Sequence, residues 1–494
     1  MIQVRNLTVS YGTTSVLQNV SFEVKDGECL VITGSSGCGK STLAHVLTGL
    51  IPNSIPAKVE GVVNINEIDV LQSSVEATAR QVGIVFQNPR AHLFHLRLDD
   101  EVAFGPRNLG FPEDEVSVRV DWALNAVGLA DLRDQKPANL SGGQIQRLAI
   151  AAALAMNPKV LVLDEPTASL DVPGTHNVIN TLENLKRQYG LTMVLIEHRL
   201  AEVRRLADRG LVMDEGRIAA QGNFEEVLGN YDVLRQYGLR RPTAETLADW
   251  SDLLAPNGHH PEDQQPLLNL HNLSAGYEGQ AIIHDVDLKI FKGEFVALVG
   301  DNGTGKSTLA LAAAGLLKPI AGNVMINGTS RTRPGLDIAL LFQNPADQLF
   351  TDSVDEEVAF APRNYRRFDQ DIHELTLASA DLNTLRARRP FSLSVGQQQR
   401  TALASCIALR PALVILDEPT LGQDWRHLQQ LMDCLARLNQ NGTAILLITH
   451  DYKLVHHYAK RVILMEKGRL ILDGKIAPAS SGRIQTEEFI HATP

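Results

Sequence analysis

Short runs of consecutive apolar residues recur along the chain, each closed by a glycine or a charged or polar residue. Val31-Ile32-Thr33 and Phe295-Val296-Ala297-Leu298-Val299 run into glycine. Val160-Leu161-Val162-Leu163 and Leu413-Val414-Ile415-Leu416 run into Asp-Glu, and Met193-Val194-Leu195-Ile196 and Ala444-Ile445-Leu446-Leu447-Ile448 form a third pair. Runs this short, bounded by breakers, predict strands buried on both faces. Amphipathic stretches with helical period lie between them, as a sheet with crossover helices requires. The expected class is mixed α/β. The longest apolar stretch, Leu148 to Met156, is about half the ~20 residues that a membrane span needs.

The pattern occurs twice. Tyr11 and Tyr277 are 266 residues apart, and so are Lys40 and Lys306. The spacing falls to 256 for Gln87 and Gln343, 253 for Ser141 and Ser394 and for Glu165 and Glu418, and 252 for His198 and His450. Landmarks in one order, drifting by short deletions, indicate a duplicated domain rather than a solenoid repeat. The first copy carries extra residues around Ile51 to Glu60. Domains are expected at 1–238 and 267–494. The segment 239–266 reads as a linker, because helical period fails and Pro242, Pro256, Pro261 and Pro266 punctuate it. Its His259-His260 pair has no third ligand nearby and reads as solvated.

Bulk properties remove several functions. A net charge of −11 does not suit a nucleic-acid binder. The four cysteines never form C-x-x-C, which argues against zinc and a disulfide framework. The first residues do not resemble a signal peptide, so the expected compartment is the cytosol, and any membrane association is expected to come through another chain.

Gly34-Ser35-Ser36-Gly37-Cys38-Gly39-Lys40-Ser41 and Gly300-Asp301-Asn302-Gly303-Thr304-Gly305-Lys306-Ser307 both fit G-x-x-x-x-G-K-[ST]. In such a loop, backbone N–H groups turn inward around phosphates, and the following helix presents its positive end to them. Lys40 and Lys306 are expected on the β- and γ-phosphates, and Ser41 and Ser307 on Mg²⁺. Asp164-Glu165 and Asp417-Glu418 end apolar strands, where an ionised carboxylate is costly unless paired or metal-bound. Asp164 and Asp417 are therefore expected to hold Mg²⁺. Glu165 and Glu418 are placed to act as general bases on water, a role worth ~10²- to 10⁴-fold in rate.

Leu140-Ser141-Gly142-Gly143-Gln144 resembles the signature of ATP-binding cassette (ABC) ATPases, with Leu393-Ser394-Val395-Gly396-Gln397 as the second copy. The resemblance implies two tandem P-loop NTPase domains, each with a RecA-like mixed sheet, an antiparallel β-subdomain and a helical signature subdomain. It places ATP against both phosphate loops, each extended by Thr42 or Thr308, and against Ser141 to Gln144 and Ser394, Gly396 and Gln397. It further implies that Tyr11 and Tyr277 stack on adenine. Gln87 and Gln343 are implied to sense Mg²⁺ and the transporter. Ser169-Leu170-Asp171 and Leu421-Gly422-Gln423-Asp424 are implied to be D-loops, and His198 and His450 to contact the γ-phosphate. The family docks two domains head to tail, each ATP lying between one phosphate loop and the other domain's signature, where N–H groups stabilise the transferring phosphoryl. Fusion would make this docking intramolecular, at roughly millimolar effective concentration.

The crossed arrangement makes the sites unequal. The site on Lys40 would use the signature carrying Val395 in place of glycine. If that position needs positive φ, a β-branched residue would cost ~1–2 kcal/mol and slow the site; if φ is negative, the change is harmless.

After each glutamine the text is distinctive. Phe342-Gln343-Asn344-Pro345-Ala346-Asp347-Gln348-Leu349-Phe350 precedes Glu357-Val358-Ala359-Phe360-Ala361-Pro362-Arg363-Asn364. Phe86-Gln87-Asn88-Pro89 and Leu93-Phe94 precede Glu101-Val102-Ala103-Phe104-Gly105-Pro106-Arg107-Asn108. These resemble the energy-coupling factor (ECF) group, which imports vitamins and metal ions such as cobalt. In that group this segment docks coupling helices of a transmembrane protein, and a separate membrane subunit binds the solute. The fused layout also resembles double ATPases assigned to hydroxymethylpyrimidine or thiamine uptake. The implied location is the cytoplasmic face of the cell membrane. Arg90-Ala91-His92 replaces the second copy's Ala346-Asp347-Gln348, which suggests a different coupling helix for each half. The alternatives are the ATPase of another ABC importer and a soluble ABC protein. The short linker, the absence of zinc cysteines and the presence of Lys306 set the chain apart from translation-factor, DNA-repair and fused sugar-importer types respectively.

Overall fold

In each half, strands buried at every position lie inside the main sheet. The computed structural model describes residues 1–91, 93–168, 170–237, 239, 254–256, 264–330, 333–419 and 425–476. His92, Ser169, the segment Leu421-Gly422-Gln423-Asp424 and the pair His259-His260 lie outside them. The chain forms two compact units, the first made mainly of residues up to Ala244 and the second mainly of residues from Glu245 on.

The main sheet of the first unit has six strands in the order Arg217–Asn223, Arg209–Asp214, Cys29–Gly34, Thr192–Ile196, Val160–Asp164, Val82–Val85. All neighbours are parallel except the first pair. Cys29–Gly34, Val160–Asp164 and Thr192–Ile196 are buried at every position, as strands covered on both faces must be. In the second unit the equivalent strands are Phe295–Val299, Leu413–Asp417 and Ala444–Ile448, central in a seven-stranded sheet.

A separate antiparallel sheet accompanies each main sheet. In the first it joins Thr14–Val24, Ile2–Tyr11, Lys58–Ile65 and Ile68–Asp69; in the second, Gln280–Ile290, Leu268–Tyr277 and Ala321–Ile326. Ile2–Tyr11 and Leu268–Tyr277 share one irregularity: Asn6 and Asn272 adopt φ 49° and 47°, and the register shifts across them. Asparagine tolerates this left-handed conformation better than most residues. The expected α/β class with tandem domains, mixed sheet and antiparallel partner sheet is what the chain forms.

One detail departs from the sequence reading. Within the segment expected as linker, Leu254–Pro256 forms an edge strand antiparallel to Arg469–Ile476 of the second unit. Proline is tolerated there because an edge strand leaves one row of N–H positions unpaired. Among the described residues, no helix is long and apolar enough to cross a membrane.

Candidate functional site

Each phosphate loop leaves the C-terminal end of a buried parallel strand and closes on a helix, Lys40–Leu47 or Lys306–Ala313. The residues before those helices, Gly39 and Gly305, both sit at φ 101°, a left-handed turn that swings the chain into the helix. Gly34 and Gly300 open the loops, and a Cβ on either would collide with the carbonyl oxygen of Met213 or Met465 in the adjacent strand. The lysines are buried under their loops. Lys40 Nζ donates to the carbonyls of Gly34 and Ser35 at 3.0 and 2.9 Å, and Lys306 Nζ to those of Gly300 and Asp301, both at 2.7 Å. The ammonium is thereby held where the loop curls. Ser41 and Ser307 are exposed on the first helical turn, followed by half-buried Thr42 and buried Thr308. Of the other loop residues, Ser35 Oγ donates to Asp214, Thr304 Oγ1 to the Asp301 carbonyl, and Asn302 meets His450 Nε2 at 2.9 Å. Ser36 is half-buried, Cys38 is buried, and Gly37 and Gly303 are exposed at the loop tips.

The strand-end carboxylates face these loops. Asp164 is hydrogen-bonded to the Ser41 hydroxyl, and burial followed by the Glu165 charge pushes its pKa up to about 6. Asp417 is hydrogen-bonded to Ser307 and is likewise raised by burial. These pairs of hard oxygen donors suit Mg²⁺, which takes few protein ligands and completes its shell with phosphate and water. Among the described residues, no cluster of three His, Cys, Asp or Glu could hold a metal unaided.

Glu165 and Glu418 both adopt φ 48°, a left-handed conformation that costs a non-glycine residue on the order of 1–3 kcal/mol. Each N–H donates to the end of the neighbouring strand, at Ile196 or Ile448, 2.9 Å away. The twist aims each carboxylate at the histidine that follows that neighbouring strand. His198 Nε2 lies 3.3 Å from Glu165, and His450 Nε2 lies 3.1 Å from Glu418. Gln87 Nε2 donates to the other oxygen of Glu165 at 2.7 Å, whereas Gln343 is exposed. Burial raises the Glu165 pKa, but His198, Lys40 and Gln87 outweigh it and hold this carboxylate below its ordinary range. The arrangement can accept a proton from a water molecule beside the phosphate loop. Tyr11 is half-buried and Tyr277 is 48% exposed, each at the end of its antiparallel strand.

The signature segments are helix N-termini. Ser141 caps Gly142–Leu154 and Ser394 caps Val395–Ile407, each in a capping box. Gln144 and Gln397 return the bond to the cap N–H at 2.8 and 3.2 Å. Val395 is thus the first residue of a regular helix and is not among the residues with positive φ. The strain that would have slowed the Lys40 site does not arise, and the negative-φ alternative holds.

Beyond each glutamine, an aromatic pair stands on the surface. Phe94 is 61% exposed and meets Phe104 edge-on at 4.7 Å; Phe350 is 60% exposed and meets Phe360 at the same distance. A buried glutamate fixes each loop from beneath. Glu101 accepts the N–H groups of Phe94 and His95 and pairs with the His95 ring. Glu357 accepts those of Phe350 and Thr351 and the Thr351 hydroxyl. Gln348 ties the second loop inward through the Leu340 carbonyl and Cys406.

The sequence model of the family described as ABC transporter matches residues 17–168 and 283–421. This chain belongs to the ABC transporter family of ATPases. It is 38% identical over 520 residues to a protein of Methanosarcina acetivorans provisionally described as an ABC transporter ATP-binding protein, covering 95% of this chain and 85% of that one. A relative in Caldanaerobacter subterraneus with the same provisional description is 35% identical, covering 96% and 91%. Among solved structures, cbiO1 of Clostridium perfringens, described as part of the ABC transporter complex cbiONQ, is 36% identical over 49% of this chain and 95% of that one, with a TM-score of 0.43. Archaeal ABCE1, in a ribosome-bound model with Pelota, shares the fold at 21% identity and a TM-score of 0.65, covering 95% and 78%.

Three features of this ABC ATPase escape a reading by motif. The left-handed twist of Glu165 and Glu418 has no residue signal, since glutamate is a poor choice for it. Glu101 and Glu357 sit in the recognised post-glutamine text, but their inward orientation needs the fold. Glu197 directly follows a buried strand, and the argument that found Asp164 at a strand end applies to it equally.

Proposed function

We propose that this ABC ATPase is the fused energy-coupling subunit of an ECF-type importer, working at the cytoplasmic face of the membrane. The observation that supports this is the matched pair of exposed, glutamate-anchored phenylalanine clusters after Gln87 and Gln343. Exposed aromatics on rigid supports are anchors for a partner, and the partner proposed is the coupling helix of a transmembrane protein. A separate membrane subunit selects the solute, a vitamin, a vitamin precursor such as hydroxymethylpyrimidine or thiamine, or a cobalt or nickel ion.

In this proposal ATP binds each phosphate loop with adenine on Tyr11 or Tyr277. It is sandwiched by the other half's signature, Ser141 to Gln144 or Ser394, Gly396 and Gln397. Lys40 and Lys306 turn from loop carbonyls to the β- and γ-phosphates. Ser41, Asp164 and Gln87, or Ser307, Asp417 and Gln343, would hold Mg²⁺, which neutralises charge on those phosphates. Glu165 and Glu418 accept the water proton, and His198 and His450 hold the γ-phosphate. Closure of the halves moves the docked helices, and release of ADP and phosphate reopens them. Extraction of the native complex in mild detergent tests the reading. Integral-membrane partners should co-purify, and be lost on Phe94→Asp with Phe350→Asp. Association with ribosomes and no membrane partner would replace it with a soluble ABC role.

A further inference from the structure

The loops that carry His198 and His450 are built differently. In the second half, Thr449 Oγ1 accepts the Asp451 N–H at 3.1 Å, and Asp451 accepts those of Lys453 and Leu454 at 3.0 and 3.2 Å. This caps the helix Tyr452–Tyr458 locally. In the first half these two positions are Glu197 and Arg199, and Arg199 precedes the four-residue helix Leu200–Val203 without a side-chain cap bond. Glu197 is 1% exposed and does the holding instead. Its Oε1 accepts the N–H groups of His198 and Arg199 at 2.9 and 3.1 Å, and its Oε2 accepts the Thr167 hydroxyl at 2.8 Å. Thr167 follows Asp164-Glu165-Pro166 and leads into the D-loop segment. One carboxylate therefore spans two loops, both of which bear on Glu165.

This side chain is an expensive choice. Burial and then the neighbouring Glu165 charge push its pKa up, so the strand end would be more stable with a neutral residue, as Thr449 is in the other half. A buried carboxylate that satisfies three donors from two loops fixes their relative position more firmly than a threonine serving one.

We propose that Glu197 is a positioning residue of the first half, locking the His198 loop to the segment that leads into the D-loop, so that the two move as one piece during phosphoryl transfer. This rests on the reading of Glu165 and His198 given above. The second half has Thr449 in place of this carboxylate, and among the described residues its histidine loop is capped by Thr449 and Asp451.

The test uses the full-length chain hydrolysing Mg-ATP, in the Glu418→Gln variant, where turnover reports the first half, and in the otherwise native chain. Glu197→Ala and Glu197→Thr are expected to lower kcat about tenfold in the first and about twofold in the second, with KM within about twofold, the split of a lost transition-state arrangement. Glu197→Gln keeps an oxygen for both N–H groups and an amide for the Thr167 hydroxyl, and should stay within about threefold of its parent. Wild-type kcat in Ala and Thr, a Gln variant as slow as Ala, or a KM that rises in step with the loss would overturn the proposal. If Glu197→Ala does not fold, Glu197→Thr carries the same arm, since threonine fits the equivalent strand end. Failure of Glu165→Gln to slow the native chain would instead overturn the reading of the site itself.

Discussion

The two halves match within a few tenths of an ångström in the distances around the strand-end glutamate and its histidine and differ in what surrounds them. Both glutamates sit at φ 48°, both bond the neighbouring strand at 2.9 Å, and both meet a histidine within 3.3 Å. Yet Gln87 reaches its glutamate while Gln343 is exposed, and Glu197 ties two loops where, among the described residues, Thr449 caps its own. The signature substitution, the most visible difference in the sequence, proves conformationally neutral because Val395 lies in a helix. The glutamate–histidine pair is thus held constant across the duplication, and divergence falls on the groups around it.

The largest effect expected is on turnover. Glu165→Gln with Glu418→Gln should lower ATP hydrolysis by about 10²- to 10⁴-fold. The single variants should differ from each other; losses equal within about twofold in a phosphate-release assay would break the asymmetry. Next in size, Glu101→Ala and Glu357→Ala should each weaken recovery of membrane partners roughly tenfold, a loss of about 1.4 kcal/mol, by releasing an aromatic anchor. Unequal losses would sharpen the view that the two docking loops meet different helices.

A smaller effect concerns stability. The folded-state pKa of Asp164, about 6, lies above its ordinary 3.8, so the fold binds this proton more tightly than the unfolded chain does. Ionising it therefore costs stability on the order of 3 kcal/mol above pH 6, a cost that fades below about pH 4. Asp164→Asn should raise the melting temperature of the nucleotide-free chain by a few degrees at pH 8. The gain should vanish near pH 4 even though hydrolysis is lost. A variant that melts lower at pH 8 would mean that the Ser41 bond outweighs burial. Smallest of all, Val395→Gly should change ATPase rate less than about twofold, since the first helical turn tolerates either residue within ~1 kcal/mol.

Much of this was legible in the chain. Apolar runs located the central strands because strands covered on both faces are almost wholly apolar, and the charged Asp164 and Asp417 stood out at their ends for the same reason. The phosphate loops could be read because their glycines answer to a backbone need. Gly34 and Gly300 face carbonyl oxygens that leave no room for a Cβ. What stayed hidden depends on direction rather than residue type. Nothing in the letters of Glu165 says that its backbone is left-handed, and nothing in Glu101 says that it points inward to hold Phe94. The branch at Val395 could be settled only by seeing which side of zero its φ takes.

The capping boxes at Ser141 and Ser394 bear on how such a chain is made. Each signature satisfies its own exposed helix end through the glutamine three residues on, all within one half. The first signature leaving the ribosome therefore closes its capping box without any residue not yet translated. Each half can settle as a unit in the order of synthesis. Each repeated signature thus carries its own cap, and duplication copies the cap along with the helix it closes.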